Sequence, residues 1–307
     1  MSLPTRQRGA VLLVALLIVA LAAAAASALL LQQDLAVRRL ETSRDFEQAQ
    51  WVLKGGVQWA RSILAQDART SNVDHAGELW ATGLPATEME QGTVSGDIID
   101  QQGLFNLNNL VLEGKPSAAD IAILLRLLRA IDLHAELADA IVDWIDADGE
   151  PRAPGGAEDG YYLRLPVPYR TANRPMAEIG DLLRVRGFDE TAVARLRRVA
   201  TVLPRRTSVN VNLAPPEVLV ALVNGLTLAE ALVLTRARST APIRDMKDFR
   251  ESLPRRDLQV ADDSVAVESQ YFLVQGRART GKADVRMEAL LQRDKGSLPV
   301  VVWQRML

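Results

Sequence analysis

RQRGAVLLVALLIVALAAAAASALLLQQD, residues 6–34, decides how the rest of the chain is read. Between Ala10 and Leu31 there is no charge, and Ser27 is the single hydroxyl. At 1.5 Å per residue this run makes roughly 30 Å of helix, enough to cross a hydrocarbon core. Arg6 and Arg8 precede it and Asp34 is the first charge after it. That asymmetry puts residues 1–8 in the cytoplasm and everything beyond Asp34 on the other side of the membrane. Three readings follow: an uncleaved signal anchor, a signal peptide cut near Ala24 or Ala26, or a basic leader cut after Gly9 whose apolar body remains. The run is longer than the roughly 7–15 residues of a secretory apolar region, which weighs against the second.

The helical pattern does not stop at the membrane. QQDLAVRRLETSRDFEQAQWVLKGGVQWARSIL (32–64) carries apolar residues at Leu35, Leu40, Phe46, Trp51, Val52, Val57 and Trp59. Their spacing of three to five residues predicts an amphipathic continuation, weakened locally at Gly55 and Gly56. The expectation is one long helix, half in lipid and half packed on a soluble body.

With 307 residues the chain has room for one large or two medium domains, and its 48% hydrophobic and 24% charged residues are ordinary for a globular protein. The net charge of −2 gives no global attraction for nucleic acid or anionic lipid. The absence of cysteine excludes disulfides, thiolate metal sites and a cysteine nucleophile. His75 and His134 are the only histidines, which argues against histidine catalysis or zinc.

Residues 66–92 read as a polar loop with one short helical turn. TVSGDIIDQQGLFNLNNL (93–110) predicts strands around a turn at Gly103. ESQYFLVQGRART (268–280) and ADVRMEALLQRD (283–294) flank a hairpin turn, and LPVVVWQRML (298–307) is a third strand. In the second of these, Val285, Met287, Ala289 and Leu291 fall on one face, opposite Arg286, Glu288 and Gln292. Helical patterns fill the interval at 117–145, 176–204, 215–238 and 243–253. The fold class expected is therefore α+β: a long N-terminal helix packed on a small antiparallel sheet, with a large all-α domain inserted between the β segments. The predicted divisions are a leader at 1–9, a transmembrane stretch at 10–31, a first α/β part at 32–111, the inserted helical domain at 112–262 and a second β part at 263–307.

DWIDADGEPRAPGGAEDGYY (143–162) is the densest polar cluster. Asp143, Asp146, Asp148, Glu150, Glu158 and Asp159 crowd a loop in which Arg152 is the only cation, and Gly149, Pro151, Pro154, Gly155 and Gly156 forbid regular structure. Such a loop repels itself unless a cation neutralises it. Calcium, which takes about 6–8 oxygen ligands in flexible geometry, is the natural one, although the spacing is not that of an EF-hand. The alternative is a solvated acidic loop closed by Asx turns.

Residues 207–253 look like a helix-hairpin-helix module of the kind that binds DNA backbone. Its hairpin, Asn224-Gly225-Leu226-Thr227-Leu228, has one Gly where two are usual, and Arg236 and Arg238 are the residues that could reach a phosphate. Packing is the reading preferred here. The Asn residues of NLNNL (106–110) and NVNL (210–213) are read as caps and turn formers. The five tryptophans are scattered, as core or interface anchors. No Walker loop, Rossmann fingerprint, G-x-S-x-G or H-E-x-x-H is present, so no enzyme class is indicated.

A leader ending in Gly9 followed by a membrane helix that runs into a globular head resembles the type IV pilin and pseudopilin families. In that resemblance a prepilin peptidase cuts after Gly9, and Ala10 becomes the methylated N-terminus. The sequence departs from the common pattern at Ala10, where most pilins have Phe, and at Val14, where most have Glu. Together with Val14, the stretches DQQGLFNLNNL (100–110), DWIDADGE with GAEDGYY, PYRTANRPMAEIGDLL (168–183) and SVNVNLAPPEVL (208–219) resemble the general secretion pathway protein K family, minor pseudopilins of type II secretion systems. The resemblance covers essentially the whole chain. It implies a pseudopilin fold with a large helical insertion, anchored by a single pass in the inner membrane with its bulk in the periplasm. It implies a complex with I- and J-type minor pseudopilins at the tip of a fibre of the major pseudopilin. Secreted substrates and the outer-membrane secretin are further possible contacts. It also implies calcium in the insertion, with the acidic residues of 143–159 as the candidate ligands. Two rivals remain: a membrane-anchored DNA-binding protein and a periplasmic enzyme that uses the acidic loop.

Overall fold

The computed structural model describes residues 5–90 and 92–307. Helix α1 runs unbroken from Thr5 to Thr70. Of the leader read at 1–9, residues 1–4 lie outside the described residues, and the Gly9–Ala10 bond sits within the helix. Gly55 and Gly56 do not interrupt it, and a Cβ at either would meet nothing within 4 Å.

The first half of α1 stands free of the rest of the chain, and the second half packs on a sheet. Strands β1 (Leu84–Met89) and β2 (Gly92–Asp100) form one hairpin. Strands β9 (Tyr271–Thr280), β10 (Ala283–Gln292) and β11 (Val300–Met306) form a meander, and the sheet order is β1-β2-β9-β10-β11, antiparallel throughout. The fold is thus α+β, as expected. The alternation in β10 holds: Val285, Met287, Ala289 and Leu291 are buried with Phe272 and Val274 against α1. The β9–β10 turn is closed by Gly281 at φ 52°, whose missing side chain lets the turn approach Asp45 of α1. Asp45 accepts a hydrogen bond from the Lys282 amide there, at 3.2 Å.

The buried stripe of α1 is not the one expected. It consists of Ala49, Leu53, Val57, Ala60 and Leu64, at steps of three and four residues. Of the predicted apolar face only Val57 is fully buried and Val52 partly, whereas Leu35, Leu40, Phe46, Trp51 and Trp59 are exposed, Trp51 by 70%. Small residues form the contact because a helix lies closest to a sheet where its side chains are short. Gly276 opens the facing strand at this point, and a Cβ there would come within 2.8 Å of Leu53.

A second correction concerns β1. Residues 84–89 were expected within a polar loop, but they form an edge strand with no alternation, because both of its faces are exposed or nearly so. The expected helical turn before it is present at Leu79–Thr82, and it buries Trp80 against Phe272.

Between β2 and β9 lies the insertion. The strand ends place its edges at residues 101 and 270, outside the 112 and 262 read from the sequence. The strand expected after Gly103 does not fold back on β2. Instead β3 (Phe105–Asn106) pairs in parallel with β6 (Ala200–Thr201) inside the insertion. Two further short pairs lie there: β4 (Val111–Leu112) with β5 (Lys115–Pro116), and β7 (Val209–Asn210) with β8 (Val265–Ala266). The helices are α2 (Ala118–Ala130), α3 (Leu137–Ile145), α4 (Asp159–Tyr162), α5 (Glu190–Leu196), α6 (Pro216–Leu222), α7 (Leu228–Thr240) and α8 (Met246–Ser252). The helical stretch read at 117–145 is two helices, parted at Asp132 with φ 56°. The insertion has its own core, centred on Phe105, Leu124, Leu127, Ile141, Tyr162, Val218 and Phe249.

Buried asparagines sew this core together across long stretches of sequence, beyond the capping role expected of them. Asn106 donates to the Arg205 carbonyl (2.8 Å), Asn108 to the carbonyls of Met176 and Leu203 (3.1 and 2.9 Å), and Asn109 to that of Thr207 (2.7 Å). Asn212 exchanges both amide bonds with Ile243.

At the junction of the two parts Arg293 is buried under α1. It donates to both oxygens of Asp74 (2.7 and 2.5 Å), to Asp67 (2.8 Å) and to the Ser269 carbonyl (2.7 Å). Asp74 also accepts the Ser269 amide at 2.6 Å, and Asn210 donates to the Asp74 carbonyl and the Ser269 hydroxyl. This network holds the insertion at the end of α1 remote from its apolar half. From Leu31 to Thr70 the helix rises about 58 Å.

Candidate metal centre

Helix α3 is buried on nearly all sides, and the one fully buried carboxylate it carries is Asp143. Asp143 lies in the last turn of the helix, which ends at Ile145. Asp146 caps the helix and is also buried. The chain then turns through Asp148 and returns past Gly155 and Gly156 to Glu158, which begins the short α4. The return is possible because Gly156 has no side chain: a Cβ there would collide with the Asp143 carboxylate.

The result is a pocket of converging carboxylates. Oxygens of Asp146, Asp148 and Glu158 all lie within 4.8 Å of one another. Asp143 stands beside them, with one oxygen accepting the Arg152 amide at 3.1 Å. The other oxygen of Asp143, together with Asp146 Oδ1 and Glu158 Oε1, is buried without a hydrogen-bond partner. Burial pushes the Asp143 and Asp146 carboxyls up to about 6, and the Asp148 charge adds to the rise at Asp146. Burial, aided by the charges of Asp143 and Asp146, pushes Glu158 up to about 7. Arg152 relieves this repulsion only in part: its charge lowers Asp143 and Asp146, but its side chain makes its ion pair with Asp139 at 3.7 Å.

Glu150 and Asp159 lie outside the pocket. Glu150 is exposed and only its amide is engaged, donating to Asp148 at 2.9 Å. Asp159 accepts the Thr171 amide at 3.0 Å and faces Arg170 at 3.5 Å. Of the six candidate residues the structure thus brings three within reach of one ion, Asp146, Asp148 and Glu158, with Asp143 buried beside them, and gives Glu150 and Asp159 different work.

The donor set suits a hard cation. Ligand oxygens on opposite sides of calcium are separated by about 5 Å, given bonds of about 2.3–2.6 Å, and three orphaned buried oxygens supply the negative charge. No nitrogen or sulfur donor accompanies them, so the chemistry of the pocket fits calcium and not zinc.

A second group of carboxylates, Asp67, Asp74 and Glu78, also comes within 4.8 Å. It went unnoticed in the sequence because its counter-charge, Arg293, is more than 200 residues away. Arg293 already supplies the cation there.

Of the two arginines in the helix-hairpin-helix reading, Arg236 is exposed and Arg238 is not available. Arg238 points inward, where its guanidinium donates to the carbonyls of Val211 and Ala214, and burial lowers it to about 10. It is a brace between α7 and the chain before α6, and it is not free to meet a phosphate.

Two family models, both described as type II secretion system, protein K, match residues 103–205 and 209–268. The chain is 32% identical to the type II secretion system protein K of Pectobacterium carotovorum subsp. carotovorum, over 97% of this chain and 96% of the relative. It is 31% identical to that of Pseudomonas aeruginosa, over 86% and 82%. It is 32% identical to that of Klebsiella pneumoniae, over 96% and 95%. A chain in the crystal structure of the GspK-GspI-GspJ complex from the enterotoxigenic Escherichia coli type 2 secretion system superposes with a TM-score of 0.74. It is 24% identical, with 87% of this chain and 99% of that chain covered. The superposition establishes the same fold, and identities of this size over nearly the whole length establish kinship: the chain belongs to the type II secretion system protein K family.

Proposed function

We propose that this chain is a minor pseudopilin of a type II secretion system that sits at the tip of the pseudopilus and calcium-loads its inserted domain. The observation that carries the reading is α1. One half is apolar and uncovered, long enough to cross a membrane; the other half is the spine of an antiparallel sheet. A subunit of this shape can be drawn from the membrane into a fibre by its helix. The insertion, 101–270, is larger than the sheet it interrupts, and a fibre of stacked helices has little room for such bulk beside each subunit. At the end of the fibre it costs nothing. Val14, apolar where most pilins carry Glu, fits a subunit that need not dock above another.

In this reading a prepilin peptidase removes residues 1–9 and Ala10 is methylated. The helix stays in the inner membrane until assembly, with the bulk in the periplasm. I- and J-type minor pseudopilins are the neighbours, a proposal supported by the presence of GspI and GspJ beside the similar solved chain. The major pseudopilin follows beneath them. The tip primes assembly and faces the outer-membrane channel and exported proteins. The role is structural, with no catalysis by the acidic pocket: Asp143, Asp146, Asp148 and Glu158 hold calcium and thereby fix the loop 146–158.

The test is the intact mass and N-terminal sequence of protein purified from membranes with and without the peptidase. A chain that starts at methylated Ala10 only when the peptidase is present is the expected result. A start at Met1, or near Ala26, contradicts the proposal.

A further inference from the structure

The sheet and the insertion have separate cores, and the chain passes between them twice, leaving β2 after Asp100 and returning before Tyr271. Gln102 ties the two crossings together. Its carbonyl accepts the Asn210 amide and its side-chain oxygen accepts the Gln270 amide, both at 2.7 Å. The stretch after α1 reaches the same seam, where the Asp74 amide donates to the Val267 carbonyl at 2.8 Å. Away from the seam the two bodies touch lightly. Leu203 rests on Tyr271 and Leu290, and Arg305 reaches Glu178 at 2.7 Å in an exposed ion pair of small worth.

Asp100 sits at the first crossing and has no part in the anchor, the clasp or the cation pocket. One of its oxygens accepts the Gly103 amide; the other is buried without a hydrogen-bond partner. Every element at the seam brings charged groups. Asp67 comes from the last turn of α1, Asp74 and Glu78 from the stretch after it, and Arg293 from the end of β10. His75 Nδ1 accepts the Gly77 amide, and Lys295 at the rim is paired with Glu268 at 2.8 Å. Arg293 bonds to Asp67 and Asp74, which leaves Asp100 with no cation of its own. Burial pushes the Asp100 carboxyl up to about 6, and the Asp74 charge adds to the rise. Burial also raises Asp67 and Asp74.

An ionised carboxylate does not stay dry in such a place. Water reaches Asp100 at least cost by parting the two bodies, since neither core has to open. A cleft of about 290 Å³, lined by Asn72, Asp74, Ser269 and Arg293 among others, already lies along the seam. We propose that the seam is a proton-operated hinge: while Asp100 is protonated the insertion is locked at one angle to α1, and when the proton leaves to solvent the carboxylate draws in water and the insertion swings about the Arg293 clasp. The folded group binds its proton more tightly than the unfolded one. The lock is therefore complete below about pH 4 and is lost as the pH rises through about 6.

The experiment measures the angle directly, on the full chain in detergent with calcium held constant. The chain has no cysteine, so two introduced ones carry spin labels at known places. Ser62→Cys on α1 and Ala229→Cys on α7 are exposed and span the seam; Ala229→Cys with Arg197→Cys lies wholly within the insertion. Between pH 5 and 7.5 the distance across the seam should broaden or shift, and the distance within the insertion should not. Asp100→Asn, neutral at both values, should hold the distance across the seam narrow throughout. Hydrogen exchange of the unaltered chain gives a second reading that needs no variant. After correction for the intrinsic rate, protection of the Asn210 and Gln270 amides should fall about tenfold over this range, while amides in the middle of β9 and β10 keep theirs. The proposal fails if the distance across the seam is the same at both values, if the distance within the insertion changes as much, if Asp100→Asn retains the full change, or if protection at the seam does not fall.

Discussion

Two groups of carboxylates are buried in this molecule and are balanced in opposite ways. At the junction, Asp67 and Asp74 face a guanidinium, and Arg293 spends its donors on them and on the Ser269 carbonyl. In the insertion the buried Asp143, Asp146 and Glu158 gather beside the exposed Asp148, and one oxygen of each buried group has no partner. Both groups converge closely enough to hold an ion. The difference lies in what the chain itself supplies. A buried charge with its partner inside the fold is a clasp, finished when the protein folds. Buried carboxylates without a partner inside the fold are held neutral by protonation or, in the function proposed here, met by a cation, because isolated carboxylates do not remain ionised in an apolar setting.

The largest effect should come from undoing the clasp. Arg293→Met leaves Asp67 and Asp74 uncompensated and should destabilise the protein by about 3–5 kcal/mol. Chemical denaturation of the soluble part of the chain reads this, and a loss under 1 kcal/mol would mean that the junction carries little. The calcium-induced rise in thermal stability should survive in whatever fraction of this variant folds, since the two groups are independent.

The acidic pocket should respond next. At calcium one hundred times its dissociation constant the gain in stability is about 2.7 kcal/mol, and a chelator should remove it. Asp146→Asn should abolish the gain. A variant that keeps it would show that the ion, if bound, sits elsewhere.

Acid should separate the two states of the pocket. In the ion-free protein the folded carboxyls titrate near 6 and 7, above the ordinary values of 3.8 and 4.5. The native state therefore holds extra protons. Its stability from these groups is fully present below the unfolded values, about pH 4, and is lost as the pH rises through about 7. In chelator, thermal stability should fall between pH 5 and about 7.5, and saturating calcium should remove that fall. Parallel curves with and without calcium would contradict the assignment.

The smallest effect should come from Glu150→Gln. Glu150 is exposed and its side chain is outside the pocket, so stability should change by less than about 0.5 kcal/mol and calcium affinity should hold. A large loss of affinity would enlarge the ligand set.

The two groups also differ in how legible they are. The acidic pocket is written within sixteen residues, so composition alone points to it, and only the roles of Glu150 and Asp159 needed coordinates. The clasp joins residues 67, 74 and 293, a pairing that nothing local announces. The same contrast runs through the fold. The apolar run at 10–31 and the alternation in β10 are local periodicities and can be read directly. The buried stripe of α1 is not, because it is built from Ala49 and Ala60 as much as from Leu53 and Leu64, while larger residues such as Trp51 face outward. Large apolar residues draw attention, but close approach between helix and sheet selects small ones. Strand β1 was hidden for the opposite reason: an edge strand with no buried face has no pattern to show.

Calorimetric titration of calcium into the full chain in detergent tests the account most directly. The account predicts saturable binding that Asp146→Asn abolishes and Asp67→Asn preserves. Absence of binding, or loss through Asp67→Asn with retention in Asp146→Asn, would contradict it.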